Sequence, residues 1–156
     1  LWHSQLLAES LGKNGFGFSP YPSIGSIDLH SLAQLYYDGP KDKIFSLISI
    51  NNYPKNLKSD FESSLFSKSF PSSFNFLKNN NIKTINQKIF LGVKNSFIKQ
   101  NLPFIHIQLE RLDEYHLGYL MQYDMLKTIF LAKLFNINPF DQPAVELYKT
   151  EIKKIL

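Results

Sequence analysis

With 156 residues, 44% of them hydrophobic and 19% charged, the chain is long enough for one domain with its own core and too apolar for a disordered segment. It has no cysteine, which excludes disulfides and thiolate metal sites and fits a reducing compartment. A net charge of +4 raises nucleic-acid binding, but the lysines are scattered. Their one cluster, Lys149, Lys153 and Lys154, falls at the end of the last predicted helix, where cations complement the helix dipole. Without a basic stripe or a binding motif, nucleic acid is not an expected partner.

No run approaches the roughly 18 apolar residues of a membrane span; the nearest, Ile129–Phe135, is short and broken by Lys133. The start lacks a basic region followed by an apolar one, so no signal peptide is expected. The expected location is cytoplasmic, with no membrane partner. The first residue is Leu1, and a helical pattern of Trp2, Gln5, Leu6 and Glu9 begins at once. The expectation is therefore a piece of something longer.

In chain order, residues 1–11 read as a helix stopped by Gly12 and a loop rich in Gly, Asn and Pro. Ser26 or Asp28 is the expected N-cap of a second helix to about Tyr37, closed by Asp38-Gly39-Pro40. Residues 43–50 (KIFSLISI) read as a strand. Residues 51–80, dense in Asn, Ser, Lys and Phe, read as loops and short helical turns. Residues 81–100 place most of their apolar side chains on one helical face, Pro103 ends that helix, and residues 104–109 (FIHIQL) alternate as a strand does. Asp113 is the expected N-cap of a long helix to about Phe135, whose apolar positions on more than one face predict burial on two sides. After a loop over 136–140, Asp141 is the expected cap of a last helix, with Pro143 in its first turn.

Strands separated by helices predict an α/β layer with a parallel sheet. Two or three strands are thin for a free-standing sheet, so an incomplete α/β domain is expected. Such a domain alone leaves an open apolar sheet edge and should be poorly soluble.

Four groups stand out chemically: Glu9 in Ala8-Glu9-Ser10-Leu11-Gly12-Lys13, His30 in Asp28-Leu29-His30-Ser31, and Gln142 and Lys149 in the run from Asp141 to Lys149. A carboxylate with its pKa lifted toward neutrality can take and return a proton, and a histidine can shuttle one near pH 7. Gln142 and Lys149 are seven residues apart and should share a helix face, with free N–H groups at the helix start suited to an anion. The plain alternatives are a solvated Glu9 pairing with Lys13 at i+4, and a His30 that caps its helix.

Three segments, WHSQLLAESLGK (2–13), GFSPYPSIGSIDLHSLAQLYYDGPKDK (17–43) and DEYHLGYLMQYDMLKTIFLAKLFNINPFDQPAVELYK (113–149), resemble segments of bacterial glucose-6-phosphate isomerases, in that family's order and close to its C-terminus. Glu-Ser-x-Gly-Lys alone is a weak signal, but the run from Asn138 to Lys149 fixes eight or more positions together. The resemblance implies a partial Rossmann-like sugar-isomerase (SIS) domain with parallel strands and C-terminal helices. Residues 1–135 would form that domain, incomplete at its N-terminal side, and residues 136–156 the loop and helix carrying Gln142 and Lys149.

The implied activity is interconversion of glucose 6-phosphate and fructose 6-phosphate through an enediol, a step of glycolysis and gluconeogenesis, with no cofactor and no metal. By the resemblance Glu9 is the base, and His30 with Lys149 assists ring opening. Gln142 helps bind the sugar-phosphate substrate's phosphate. The implied partners are a second copy in a homodimer, since the family's histidine comes from the other subunit, and the missing N-terminal part. Most relatives have Gln where Leu29 stands, which removes a polar neighbour of His30. The family's Ser/Thr-rich phosphate loop and its enediolate-stabilising Arg lie upstream of the matched segments. Arg111, the one arginine, falls outside the matched catalytic motifs. The chain alone is therefore expected to be inactive, and a non-catalytic remnant that keeps the fold or a dimer interface is the alternative. His3, His106 and His116 fall outside those motifs too and read as structural or solvated.

Overall fold

The structure, a computed structural model, describes residues 1–53 and 81–156. The expected loops and turns of 54–80 lie outside the described residues. In chain order the described elements are α1 (Trp2–Leu11), α2 (Gly25–Ser31), α3 (Ala33–Asp38), β1 (Phe45–Asn52), α4 (Ile82–Lys99), β2 (Phe104–Arg111), α5 (Glu114–Leu134) and α6 (Val145–Ile155). β1 and β2 pair in parallel, Phe45 opposite Phe104 through Asn52 opposite Arg111. The expected α/β class with a partial parallel sheet is borne out.

The chain divides into two compact units, Leu1–Pro22 with Leu117–Leu156, and Ser23–His116. The second contains both strands. Its centre is Phe97 of α4, 2% exposed, whose ring meets Phe45 at 4.8 Å, Tyr37 at 5.5 Å and Phe104 at 6.1 Å, all edge-on. Edge-to-face geometry sets the positive ring edge against the negative face, so these contacts add to the burial of area. Tyr37 also shares a hydrogen bond of 2.5 Å with Ser96 Oγ. α4 begins at Asn81, whose side chain accepts from Thr84 N at 2.8 Å.

In the first unit, Leu7 and Leu11 of α1 pack with Ala132 of α5, flanked by Leu131 and Ile137. Both long helices end in the same way. Asn101 and Asn136 take positive φ (51° and 55°), Leu102 N donates to Phe97 O and Ile137 N to Ala132 O. This is the Schellman closure, with Asn in the left-handed position usually given to Gly. Asp113 caps α5 as expected, its Oδ1 accepting from His116 N at 2.9 Å.

Several expectations are corrected. The single second helix is two short ones, broken at Leu32 (φ −120°, ψ −9°). Neither Ser26 nor Asp28 is its N-cap: Ile24 is, and Asp28 instead accepts from Ile24 N at 2.6 Å from within the first turn. The first strand runs two residues later, Phe45–Asn52, because it follows the register of β2. Asp141 does not cap α6, which starts at Val145 after Ala144 without a side-chain cap; its carboxylate is taken by Lys13. α5 is not buried on two sides: its buried positions are Asp124, Thr128 and Ala132, one stripe at i, i+4, i+8, while Tyr119, Leu126, Phe130 and Leu134 are exposed. A stripe containing a carboxylate and a hydroxyl is invisible to an apolar-periodicity rule.

Candidate functional site

α1 delivers Glu9 two residues before its end at Leu11, and a tight turn follows. Lys13 and Phe16 exchange backbone hydrogen bonds in both directions, with Asn14 and Gly15 at φ 53° and 78° between them. Asn-Gly with both residues at positive φ is the sequence preference of a tight two-residue hairpin turn. Gly17, at φ 121°, then passes so close to the helix end that a Cβ there would stand 2.8 Å from Leu11 O. Phe16 stacks on Phe135 at 5.8 Å and Phe18 tilts against the same ring, which seats the turn against the C-terminal end of α5.

Glu9 is exposed at its helix end, and its carboxylate accepts two amides. Gln5 Nε2 donates to Oε1 at 3.0 Å, and Gln142 Nε2 donates to Oε2 at 2.9 Å. The second bond joins residues 133 apart in sequence. Lys13 does not pair with Glu9, so the plain i+4 alternative is not what forms. Its Nζ donates to Asn138 O and, at 2.8 Å, to Asp141 Oδ1. That hydrogen bond, helped by the lysine's charge, holds the Asp141 carboxyl below the ordinary carboxylate value.

Gln142 and Lys149 do not share a helix face, because Gln142 lies three residues before α6 begins. Gln142 therefore does not sit in the first turn of α6, where free N–H groups could face an anion beside it. Lys149 donates to Glu146 at 2.7 Å, one turn earlier in α6, and this bond raises its pKa. His30 is exposed on α2 in the other compact unit, and no hydrogen bond to its ring is found among the described residues. The structure thus brings Glu9 and Gln142 together, turns Lys149 toward its own helix, and leaves His30 open.

Two polar clusters escaped the sequence reading. Asp124, 3% exposed, accepts from His3 Nδ1 at 2.9 Å and Lys127 Nζ at 2.5 Å. His106 on β2 lies between Ser49 Oγ, 2.9 Å from Nε2, and Lys94 Nζ, 3.2 Å from Nδ1. Burial first, then the Lys94 charge, lowers the His106 pKa. Neither cluster has a sequence signal, since each joins residues on different elements. No group of three or more His, Asp or Glu suited to a metal occurs among the described residues, and no described helix is long and apolar enough to cross a membrane.

No family model matches the chain. It is 38% identical over 149 residues to the "Probable glucose-6-phosphate isomerase" of Methanococcus maripaludis, covering 96% of this chain and 32% of that protein. It is 37% identical over 164 residues to the glucose-6-phosphate isomerase of Campylobacter jejuni (99% and 38%) and 33% identical over 155 to that of Acholeplasma laidlawii (99% and 35%). Along nearly its whole length, the chain is similar to the C-terminal portion of proteins named glucose-6-phosphate isomerase. It spans about a third of the length of the curated relatives it matches. A crystal structure of a hypothetical protein from Thermus thermophilus superposes with a TM-score of 0.83 at 26% identity, covering 98% of this chain and 37% of that one.

Proposed function

We infer that the chain supplies the base-carrying part of a glucose-6-phosphate isomerase site, with Glu9 as the base. The observation that carries this is the Glu9–Gln142 bond at 2.9 Å, which joins the two matched motifs at either end of the chain. In the proposed reaction the Glu9 carboxylate takes the proton from C2 of open-chain glucose 6-phosphate. The C–H electron pair becomes a C1–C2 double bond while O1 gains a proton, giving the enediol. Glu9 then returns its proton to C1 as O2 loses one, which leaves the ketose.

Gln142, as an exposed amide beside the base, is assigned to substrate binding. His30 and Lys149 are assigned to proton movement between the ring oxygen and O1; Lys149 must then leave Glu146, an exposed pair that is weakly held. No cofactor is assigned. Residues 1–135 are assigned to the sugar-isomerase-type domain and 136–156 to its C-terminal loop and helix. The partners are assigned as a second copy and the N-terminal two-thirds that the relatives carry, and the setting as cytoplasmic. The exposed apolar face of α5 (Tyr119, Leu126, Phe130, Leu134) supports a role within a larger assembly.

A coupled assay for conversion of fructose 6-phosphate to glucose 6-phosphate tests this. The chain alone is expected to be silent, since electrostatic stabilisation of the enediolate is a large share of such a rate and the matched region holds neither the phosphate loop nor the Arg. Mixed with the N-terminal part of a related isomerase it is expected to turn over, and Glu9→Gln to abolish that turnover. A folded mixture that stays silent favours the second reading, a non-catalytic remnant.

A further inference from the structure

The geometry points to Lys13 as the positioning residue of this site: it pins the 138–142 segment so that Gln142 reaches Glu9. The inference rests on the assignment of Glu9 and Gln142 above and adds a residue to it.

Lys13 is itself immobilised twice. Its backbone is bridged to Phe16 across the Asn14-Gly15 turn, and its side chain is only 9% exposed. From that fixed base the ammonium holds two points of one segment, the Asn138 carbonyl and the Asp141 carboxylate at 2.8 Å. The segment is folded on itself between those points, with Phe140 N donating to Asn138 Oδ1 at 3.0 Å. Gln142 is the next residue, and its amide lands 2.9 Å from Glu9 Oε2.

One amide–carboxylate bond between two exposed side chains has little net strength in water, where both partners find other bonds. It does not by itself hold a segment that joins two helices. A lysine with one charged and one neutral acceptor, shielded from solvent, supplies a stronger pair of bonds and fixes direction as well. The carboxylate of Asp141 is committed to this clamp, and α6 begins at Val145 without a side-chain cap. The clamp thereby links the two motifs that are farthest apart in the chain.

The test uses the full chain with its glutamine side-chain amides labelled with nitrogen-15, the Gln142 pair being identified by its loss in Gln142→Ala. Lys13→Met and Asp141→Asn are both expected to move the Gln142 amide signals to the position they take in Glu9→Ala, and Lys13→Arg to restore most of the original shift. Asp141→Asn alters only a largely exposed side chain, so it carries the test if Lys13→Met fails to fold. Unmoved Gln142 signals in a folded Asp141→Asn or Lys13→Met would overturn the inference. In the two-part assay mixture, Lys13→Met is expected to lose about 100-fold in rate, as for a small misplacement at a site, and to add nothing to Gln142→Ala. A mixture inactive even with the unsubstituted chain would overturn the isomerase assignment instead, and the clamp would still be judged by the amide signals.

Discussion

Each of the two compact units is held together by different physics. The unit of Ser23–His116 closes around Phe97 and the aromatic rings that meet it edge-on. The unit of Leu1–Pro22 and Leu117–Leu156 has a smaller apolar centre, Leu7, Leu11 and Ala132. It adds polar ties across long sequence separations: His3–Asp124, Lys13–Asp141 and Gln142–Glu9. Aromatic burial is strong and indifferent to pH. Polar ties fix direction, and direction is what a carboxylate base needs from its surroundings. The other unit has polar ties as well, such as Tyr37–Ser96 and Ser49–His106, but in the unit that carries Glu9 one of them ends on that carboxylate.

The largest expected effect lies in the aromatic unit. Phe97→Ala should cost about 3–5 kcal/mol, read as a fall in the urea midpoint at unchanged slope; a loss below about 1 kcal/mol would mean the rings are not the organising centre. Next comes Asp124→Ala in the polar unit, which leaves His3 and Lys127 without their shared acceptor and should cost about 1–3 kcal/mol. A smaller effect separates the turns from the core: Asn136→Ala, forced to φ 55°, should lose about 1 kcal/mol while Asn136→Gly should not.

Acid should attack the two units in sequence. His106 has a lowered pKa in the folded state, so its neutral form is favoured there. That contribution is intact above the ordinary histidine value of about 6.5 and is lost as pH falls through the folded value. Asp141 is lowered too, so the Lys13 clamp persists down to the ordinary carboxylate range of about 3.9 and fails below it, as pH falls through the folded value. Thermal melts between pH 7 and 3 should show an early decline that His106→Gln removes. A later one, shared with Asp113, should be reduced by Asp141→Asn. If His106→Gln leaves the early decline intact, the assignment of acid sensitivity to the strand histidine is wrong.

Much of this was legible in the sequence because it depends on local rules. Asp113 before Glu114 announces a capped helix, and Pro103 between a helix-periodic and an alternating segment announces α4 followed by β2. What stayed hidden depends on competition between distant groups. Asp141 is a good N-cap by type, but α6 begins only at Val145 and Lys13 takes the carboxylate, and no rule within a window of ten residues contains both Lys13 and Asp141. The buried stripe Asp124, Thr128, Ala132 looks polar and small, so the apolar residues of α5 drew the burial assignment away from it. Of the candidate site, residue types and the Glu9 and Gln142 motifs were readable, whereas their meeting was not. Lys149's turn toward Glu146, by contrast, follows a local rule, since oppositely charged residues at i and i+3 on a helix pair.

The most direct test of the central claim follows the proton rather than the product. In the mixture of this chain with the N-terminal part of a related isomerase, in deuterium oxide, fructose 6-phosphate recovered before equilibrium should carry deuterium at C1, because a carboxylate base exchanges its proton with solvent. Glu9→Gln should reduce that incorporation by at least 100-fold, as expected for loss of a general base, while leaving the chain folded. Deuterium incorporation undiminished in Glu9→Gln would contradict the account, since some other group would then be moving the proton.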